Sequence, residues 1–268
     1  MSPSVLLLLA VVVLLSAVVG LLAARERKLR RLLALELKEK QQIISIVSHD
    51  IKSPFNRISA LAQLFNMEKG SMSEQQQEYI NKMLQTVADG LALIRNLVDY
   101  RNLEYRGIEI NPEQLDISQL VHGKVKSFHS LAASKSITLN TDITPTMMVV
   151  SDNQCVSRVL DNLIGNAIKF SSAQHHVFVS VKPSSNGHVI VQVRDESGGF
   201  TEEDLGRLYK KFTRLTAKPT SGESSTGLGL FITKAMLSRI GGQIQCITKY
   251  GEGSTFTVTI PTQLRMAV

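Results

Sequence analysis

From Ile44 onward, the residues Ile44, Val47, Ile51, Pro54, Ile58, Leu61 and Phe65 follow one another in steps of 3, 4, 3, 4, 3 and 4. That spacing keeps one narrow face of a helix turned toward a packed neighbour, and it is incompatible with the alternation of a strand. This part of the chain therefore has to pack helix on helix. After the polar turn "MEKGSMS" a second seam runs through Ile80, Leu84, Val87, Leu91, Ile94 and Val98. The expected element is an antiparallel helical hairpin. Each helix buries one stripe, so two hairpins forming a four-helix bundle make a homodimer the natural solution.

The first seam also orients the polar stretch "SHDIKSPF", Ser48 to Phe55. With Ile44 at heptad position a and Val47 at d, His49 falls at f, farthest from the packed side. Asp50 flanks it at g, and Ser53 lies one turn on along the same outer face. Pro54 cannot donate to the carbonyl of Asp50, so the helix is expected to bend one turn past His49.

At the N-terminus, Val5 to Ala24 is a run of twenty residues without a charge, long enough as a helix to span about 30 Å of hydrocarbon. It is expected to be a transmembrane helix. No basic segment precedes it, as one would in a secretory signal, and "RERKLRR" follows it, which by the positive-inside rule holds the remainder in the cytoplasm. The expected location is the cell membrane, single-pass, with the bulk of the chain cytoplasmic. The same basic run carries much of the net charge of +7. The charge balance thus reads as a membrane flank, and no nucleic-acid partner is expected. Cys155 and Cys246 are far apart and belong to no CxxC pair, so reduced thiols are expected.

Composition breaks at "RGIEINPEQLDISQL", giving expected segments 1–24 (membrane span), 25–42 (linker helix), 43–111 (hairpin) and 112–268. The last segment mixes helical patterns at Ile117–Ala133, Val156–Phe170 and Gly229–Ile240 with strand-like alternation. The strand-like stretches are Ile137–Asp142, Met147–Val150, a hairpin turning near Asn186 and Gly187, "GGQIQCITKY" and "GSTFTVTIP". An α+β layer with helices on one face is expected.

Four stretches in this layer look chemical. In "DNLIGNAIKF", Asn162 and Asn166 share a helical face with Lys169 a turn along, and an amide oxygen can complete a Mg²⁺ shell otherwise filled by phosphates and water. "RDESGGF" sets Asp195 at a strand end before glycines that would admit a flat base close to the backbone. "SSTGLGLFITKAML" is a glycine turn opening a helix, whose free N–H groups suit phosphate oxygens. "GEGSTFTV" is a turn into a strand.

Taken in order, these stretches resemble the sensor histidine kinases over residues 40–261. "SHDIKSPF" resembles the phosphoacceptor box, "NLIGNAIKF" the asparagine box, "DESGGF", "STGLGLFI" and "GEGSTF" the three glycine boxes, and "LYKKFTRL" the phenylalanine box. The resemblance implies a dimeric helical hairpin followed by an α/β sandwich ATP-binding domain shared with gyrase-type ATPases. It implies ATP and Mg²⁺ as cofactors, His49 as phosphoacceptor and Asp50 as its orienter or general base. It implies Asn166 as the metal ligand, with Asn162 and Lys169 near the phosphates. Asp195 would read the adenine amine, with Gly199 admitting the base. Gly227 and Gly229 would cradle phosphates, Arg214 would act as a lid cation, and Thr255 of the third glycine box would lie at the nucleotide. The polar segment Thr201–Thr226 is expected to be a mobile lid. The expected function is autophosphorylation of His49 from Mg-ATP and transfer to an aspartate on a separate response-regulator receiver domain.

Two residues depart from the family pattern. Ser197 stands where the first glycine box has Gly, and a hydroxymethyl group there would tighten the pocket. Ser53 stands four residues after His49, where members with phosphatase activity carry Thr or Asn, which leaves phosphatase activity open. A degenerate kinase that binds ATP but chiefly scaffolds a regulator, and a gyrase-like ATPase, are the alternatives. Nucleotide binding without labelling would mark the first, and hydrolysis indifferent to His49 the second.

Overall fold

The computed structural model describes residues 20, 25–26, 55–64, 73–105, 109–184, 186–223 and 225–263. The chain divides into two units at residue 53, and of the first only Gly20, Arg25 and Glu26 are described. Nearly all of the expected membrane span and linker helix lies outside the described residues, as do His49, Asp50, Ser53 and Pro54. Among the described residues no helix is long and apolar enough to cross a membrane. The second unit, Pro54–Val268, holds all the other described residues.

Within it, helices α1 (residues 55–64) and α2 (Glu74–Tyr105) make the hairpin. Helix α2 starts at a reciprocal capping box. The Ser73 hydroxyl accepts from the Gln76 N–H at 3.2 Å, and the Gln76 side chain accepts from the Ser73 N–H at 2.9 Å. Its 32 residues extend about 48 Å. The two helices close on each other where the Phe55 ring lies directly on Gly90, in space that any Cβ would occupy. Ala62, Ile80 and Val87 are buried alongside.

The α1 seam through Ile58 and Leu61 does not face α2; these residues are 46% and 58% exposed. The contact with α2 is made from the neighbouring stripe, Phe55 and Ala62. A seam regular enough to form a bundle remains uncovered within one chain.

Helix α2 carries three stripes. Ile80 and Val87 face α1. Tyr79, Met83, Leu93 and Leu97 follow heptad spacing on a second face and remain exposed. A third face, through Asn96, Asp99, Tyr100 and Leu103, meets the α/β layer.

That layer begins with β1 (Glu113–Asp116), a short strand whose four residues carry no strand signature, paired antiparallel with β3 (Met148–Ser151). Helix α3 (Ile117–Ser134) is capped by Asp116, which accepts from the Ser118 and Gln119 N–H groups. Helix α4 (Asn153–Phe170) is capped by the buried Asp152, which accepts from Cys155 N–H at 2.8 Å and from Asn111 N–H at 2.8 Å. The main sheet has the order β2 (Thr138–Ile143), β4 (His176–Ser184), β5 (His188–Asp195), β7 (Gly253–Pro261), β6 (Gln243–Lys249). Only β2 and β4 pair in parallel. Gly187 makes the β4–β5 turn at φ 68°, a conformation suited to glycine. Helices α5 (Glu202–Arg207) and α6 (Gly229–Arg239) lie between β5 and β6 in sequence.

Alternation decides the sheet's two faces. Val189, Val191 and Val193 of β5 and Phe256, Val258 and Ile260 of β7 point to the helices and are buried, whereas Gln192 and Arg194 point outward. On α4 the positions Val156, Val159, Leu160, Leu163, Ile164, Ala167 and Ile168 follow the i, i+3, i+4 pattern and bury against that sheet. Each fully buried aliphatic contributes about 1.5–3 kcal/mol, so this one face of α4 anchors the layer. Both cysteines are free thiols, and burial pushes each up to about 12, so both stay protonated at neutral pH.

Candidate functional site

The four glycine- and asparagine-rich stretches come together at one end of the layer, where β5 and β7 meet the C-terminal half of α4 and the start of α6. Glycine permits each approach. Gly253, at φ 115°, lies against the Asp195 backbone, where a Cβ would stand 3.0 Å from the carbonyl carbon and closer still to its oxygen. Gly199, at φ 63°, has room only for hydrogen: a Cβ would stand 2.5 Å from the Lys249 carbonyl oxygen and 2.9 Å from Thr248 Oγ1. Gly229 presses on the Asn162 side chain, in the space its Cβ would fill. Gly227, at φ 68°, lies against the Phe212–Thr213 backbone, 2.6 Å from Thr213 N to where a Cβ would be.

Asp195 ends β5 on the core side and is 5% exposed. Burial raises its carboxyl above the ordinary range, while hydrogen bonds from Ser197 and from the Ser254 backbone draw it back down. The Ser197 N–H donates to Asp195 Oδ1 at 3.0 Å, and Ser197 Oγ accepts from the Gly199 N–H at 3.4 Å. Ser197 is not among the residues at positive φ, so serine in this place brings no backbone strain. Its hydroxyl shapes the turn.

Strand register separates two neighbours that motif spacing leaves equivalent. Ser254 pairs with Asp195 and is buried on the core face, whereas Thr255 pairs with Arg194 and Ile247 on the opposite face. Thr255 is therefore turned away from the Asp195 carboxyl, and Ser254 is the residue beside it. The alternation of Phe256, Val258 and Ile260 already carried that signal. Thr248 belongs to the same cluster. Its hydroxyl accepts from the Phe200 N–H at 3.0 Å, donates to the Gly253 carbonyl at 2.8 Å and lies 3.0 Å from Ser254 Oγ, joining the first glycine stretch to the third.

Asn162, Asn166 and Lys169 lie on one flank of α4, all half-buried. The Asn162 amide donates to the buried Thr233 hydroxyl at 2.8 Å, so it ties α4 to the second turn of α6. The start of α6 has no side-chain cap, which leaves its first N–H groups without a side-chain acceptor. Burial lowers Lys169 below the usual lysine range; Asp89 of α2 and Glu223 pull it upward. Arg214 is exposed on the 201–226 segment.

That segment is more structured than a free lid. Thr201 caps α5 with a capping box to Asp204. The buried Asp204 carboxylate accepts from the Thr216 N–H at 3.1 Å and from the Thr216 hydroxyl. Thr220 donates through its N–H to the Lys169 carbonyl at 3.1 Å and through its hydroxyl to the Ser171 carbonyl at 3.0 Å. Glu223 pairs with Lys135 at 2.9 Å, both side chains nearly buried. Phe212, at φ 55°, stacks edge-on against Tyr100 of α2 with ring centres 5.3 Å apart. These contacts tie the segment to α2, to the C-terminal end of α4 and to Lys135 at the end of α3.

Chemically, the site offers a buried acid beside a left-handed glycine, an amide on α4 and an uncapped helix N-terminus. These are the parts needed to hold a purine base at one end and phosphates at the other. A family model described as "Histidine kinase-, DNA gyrase B-, and HSP90-like ATPase" matches residues 151–264. One described as "His Kinase A (phospho-acceptor) domain" matches residues 39–106. The chain is 30% identical over 234 residues to the sensor protein EvgS of Escherichia coli, an alignment covering 85% of this chain and 19% of EvgS. The chain thus spans about a fifth of that relative's length. The crystal structure of full-length ShkA in complex with AMPPNP matches with a TM-score of 0.63 at 23% identity, over 84% of this chain and 47% of ShkA. The Acinetobacter baumannii histidine kinase AdeS matches with a TM-score of 0.54 at 23% identity, over 80% of this chain and 98% of that one. At such identities the two structures speak for the fold.

Proposed function

Because this chain belongs to the sensor histidine kinases, we propose that it binds Mg-ATP where α4, β5 and α6 converge and transfers the γ-phosphoryl group to His49. From there the group passes to an aspartate of a response-regulator receiver domain. The observation that carries this reading is the interlock of the boxes: Gly253 on Asp195, Gly199 on Lys249, Gly227 on Thr213 and Gly229 on Asn162. Four glycines, each pressed against a neighbouring stretch, support one site assembled from five separated stretches.

In this reading Asp195 and Ser254 hold the adenine amine, with Gly199 leaving space for the ring. The N–H groups at Gly227 and Gly229 and the Lys169 ammonium take the phosphates, and Arg214 on the 201–226 segment neutralises charge. Asn162 serves mainly to hold α6 in place. The donor set suits a Mg²⁺ bound chiefly by phosphate oxygens and water, with the Asn166 amide oxygen as protein ligand. Among the described residues no cluster of three His, Cys, Asp or Glu is poised for a metal. Such an ion would offset phosphate charge during transfer. His49 attacks through one ring nitrogen as the bond to the ADP oxygen breaks, while Asp50 holds the proton on the other nitrogen.

Dimerisation follows from the uncovered stripes: Ile58 and Leu61 on α1 and Tyr79, Met83, Leu93 and Leu97 on α2, which a second hairpin would cover. The uncharged run Val5–Ala24 anchors the protein in a membrane.

Incubation of the full chain with Mg²⁺ and γ-labelled ATP should give acid-labile label on the wild type and none on His49→Gln. Label persisting in His49→Gln would sink the assignment.

A further inference from the structure

We propose that Asn96, on helix α2 of the hairpin, is a positioning residue of the nucleotide site, acting through Thr226 on the glycine turn that opens α6. The inference rests on the reading of that turn as the phosphate site.

The contacts form a continuous relay. Asp99 Oδ2 accepts from Arg158 Nε at 2.7 Å, which fixes the plane of the guanidinium. Arg158 Nη2 donates to Asn96 Oδ1 at 2.6 Å. Arginine only donates, so this bond dictates which end of the Asn96 amide is oxygen and turns its NH₂ the other way. That NH₂ donates to Thr226 Oγ1 at 3.2 Å, across 130 positions of sequence. Thr226 Oγ1 also accepts from the Leu228 N–H at 3.1 Å. Between them Gly227 takes its left-handed conformation at φ 68°. Two donors converge on one hydroxyl, holding the threonine rotamer and with it the turn.

The relay's other end is equally placed. Arg158 lies four and eight residues before Asn162 and Asn166, so all three follow one stripe of α4. Asn96 therefore connects the α4 stripe, the glycine turn and the hairpin at a single amide. A shift of α2 along its axis would move that amide and release Thr226, changing how the turn presents its N–H groups. Asp99 and Arg158 are each about three-quarters buried, so the relay is not a solvent-exposed pair of little weight.

The test uses the full chain with Asn96→Ala, Thr226→Val, the double variant and Thr226→Ser. Two readouts are needed: hydrogen exchange of the peptide containing Leu228 without nucleotide, and binding of Mg-AMPPNP. Asn96→Ala and Thr226→Val should each speed Leu228 exchange and weaken binding about fivefold, the factor one net hydrogen bond is worth. The double variant should be no weaker than either single, and Thr226→Ser, which keeps the hydroxyl, should bind as wild type. A general loss of folding would appear as faster exchange throughout, whereas the relay predicts a change centred on residues 226–229. Wild-type binding by Asn96→Ala, or additive effects of the two substitutions, overturns the proposal. A wild type that does not bind Mg-AMPPNP overturns the phosphate reading, and with it the role given to Asn96. Unchanged Leu228 exchange in Asn96→Ala removes the relay even if nucleotide binds.

Discussion

Gly253 and Asp195 meet backbone to backbone: a Cβ on residue 253 would stand 3.0 Å from the Asp195 carbonyl carbon and nearer its oxygen, and the residue sits at φ 115°. The third glycine box is thereby fitted to the first. Gly253→Ala should lose on both counts, steric and conformational. The expected destabilisation is about 2–4 kcal/mol by chemical denaturation, with nucleotide binding lost before global unfolding. An alanine variant as stable as wild type would show that the contact is slack.

Gly229 and Asn162 form a similar pair, but here one partner is a side chain. Gly229→Ala should push the Asn162 amide off Thr233 and cost about 1–3 kcal/mol. Truncating the obstructing side chain should recover part of this loss, so Asn162→Ala with Gly229→Ala should be more stable than the sum of the single effects. Thermal melts of the four proteins in a double-mutant cycle measure the coupling.

Asp195 carries a pH signature. Burial raises its carboxyl, so its folded-state value lies above that of the unfolded chain. Its contribution to stability is present below the ordinary carboxylate value of about 4 and is lost as pH rises through the raised value. Asp195→Asn should therefore compare more favourably with wild type at pH 7 than at pH 4 in denaturant melts. Its nucleotide binding should fall more than tenfold, about 1.4 kcal/mol or more, because the amide cannot reproduce a charged acceptor.

Glu223 titrates in the opposite sense. Burial alone would raise it, but the hydrogen bond and charge of Lys135 and the Ser221 N–H outweigh that and hold it low. Its contribution is present above the ordinary glutamate value and lost as pH falls through the lowered one. Proteolysis of the 201–226 segment should accelerate in acid for wild type. Glu223→Gln should show fast proteolysis already at neutral pH and little further change.

The uncovered α2 stripe predicts assembly. Leu93→Asp places a charge in the middle of the exposed row Tyr79, Met83, Leu93 and Leu97. Sedimentation should find the wild type as a dimer and this variant shifted strongly toward monomer, with the α/β layer still folded by near-ultraviolet circular dichroism.

Spacing along the chain was enough for the long elements and their order, but not for the short β1 or for α5 within the 201–226 segment. The 3,4 steps foretold the hairpin, the i, i+3, i+4 pattern on α4 foretold its buried face, and alternation foretold β4, β5 and β7. Periodicity is a local property, and a local property survives in the sequence. Which surface a stripe meets is not local. Ile58 and Leu61 belong to a seam broken only by Pro54, yet within one chain α2 is met by Phe55 and Ala62, because Gly90 lets the Phe55 ring approach and nothing in the spacing reports that. Register made the same distinction at the site, choosing Ser254 over Thr255 beside Asp195.

What the sequence determined by itself, then, was composition of faces: which residues could be buried, which turns needed glycine, and which polar groups lay on one flank. Only the tertiary structure decided which of those faces touch. The Asn96–Thr226 hydrogen bond joins residues 130 positions apart, and Gly253 meets Asp195 across β7 and β5. Such contacts depend on how α2, α4 and the sheet stack, and stacking is set by the summed packing of a whole core, in which no single stretch of chain specifies its partner.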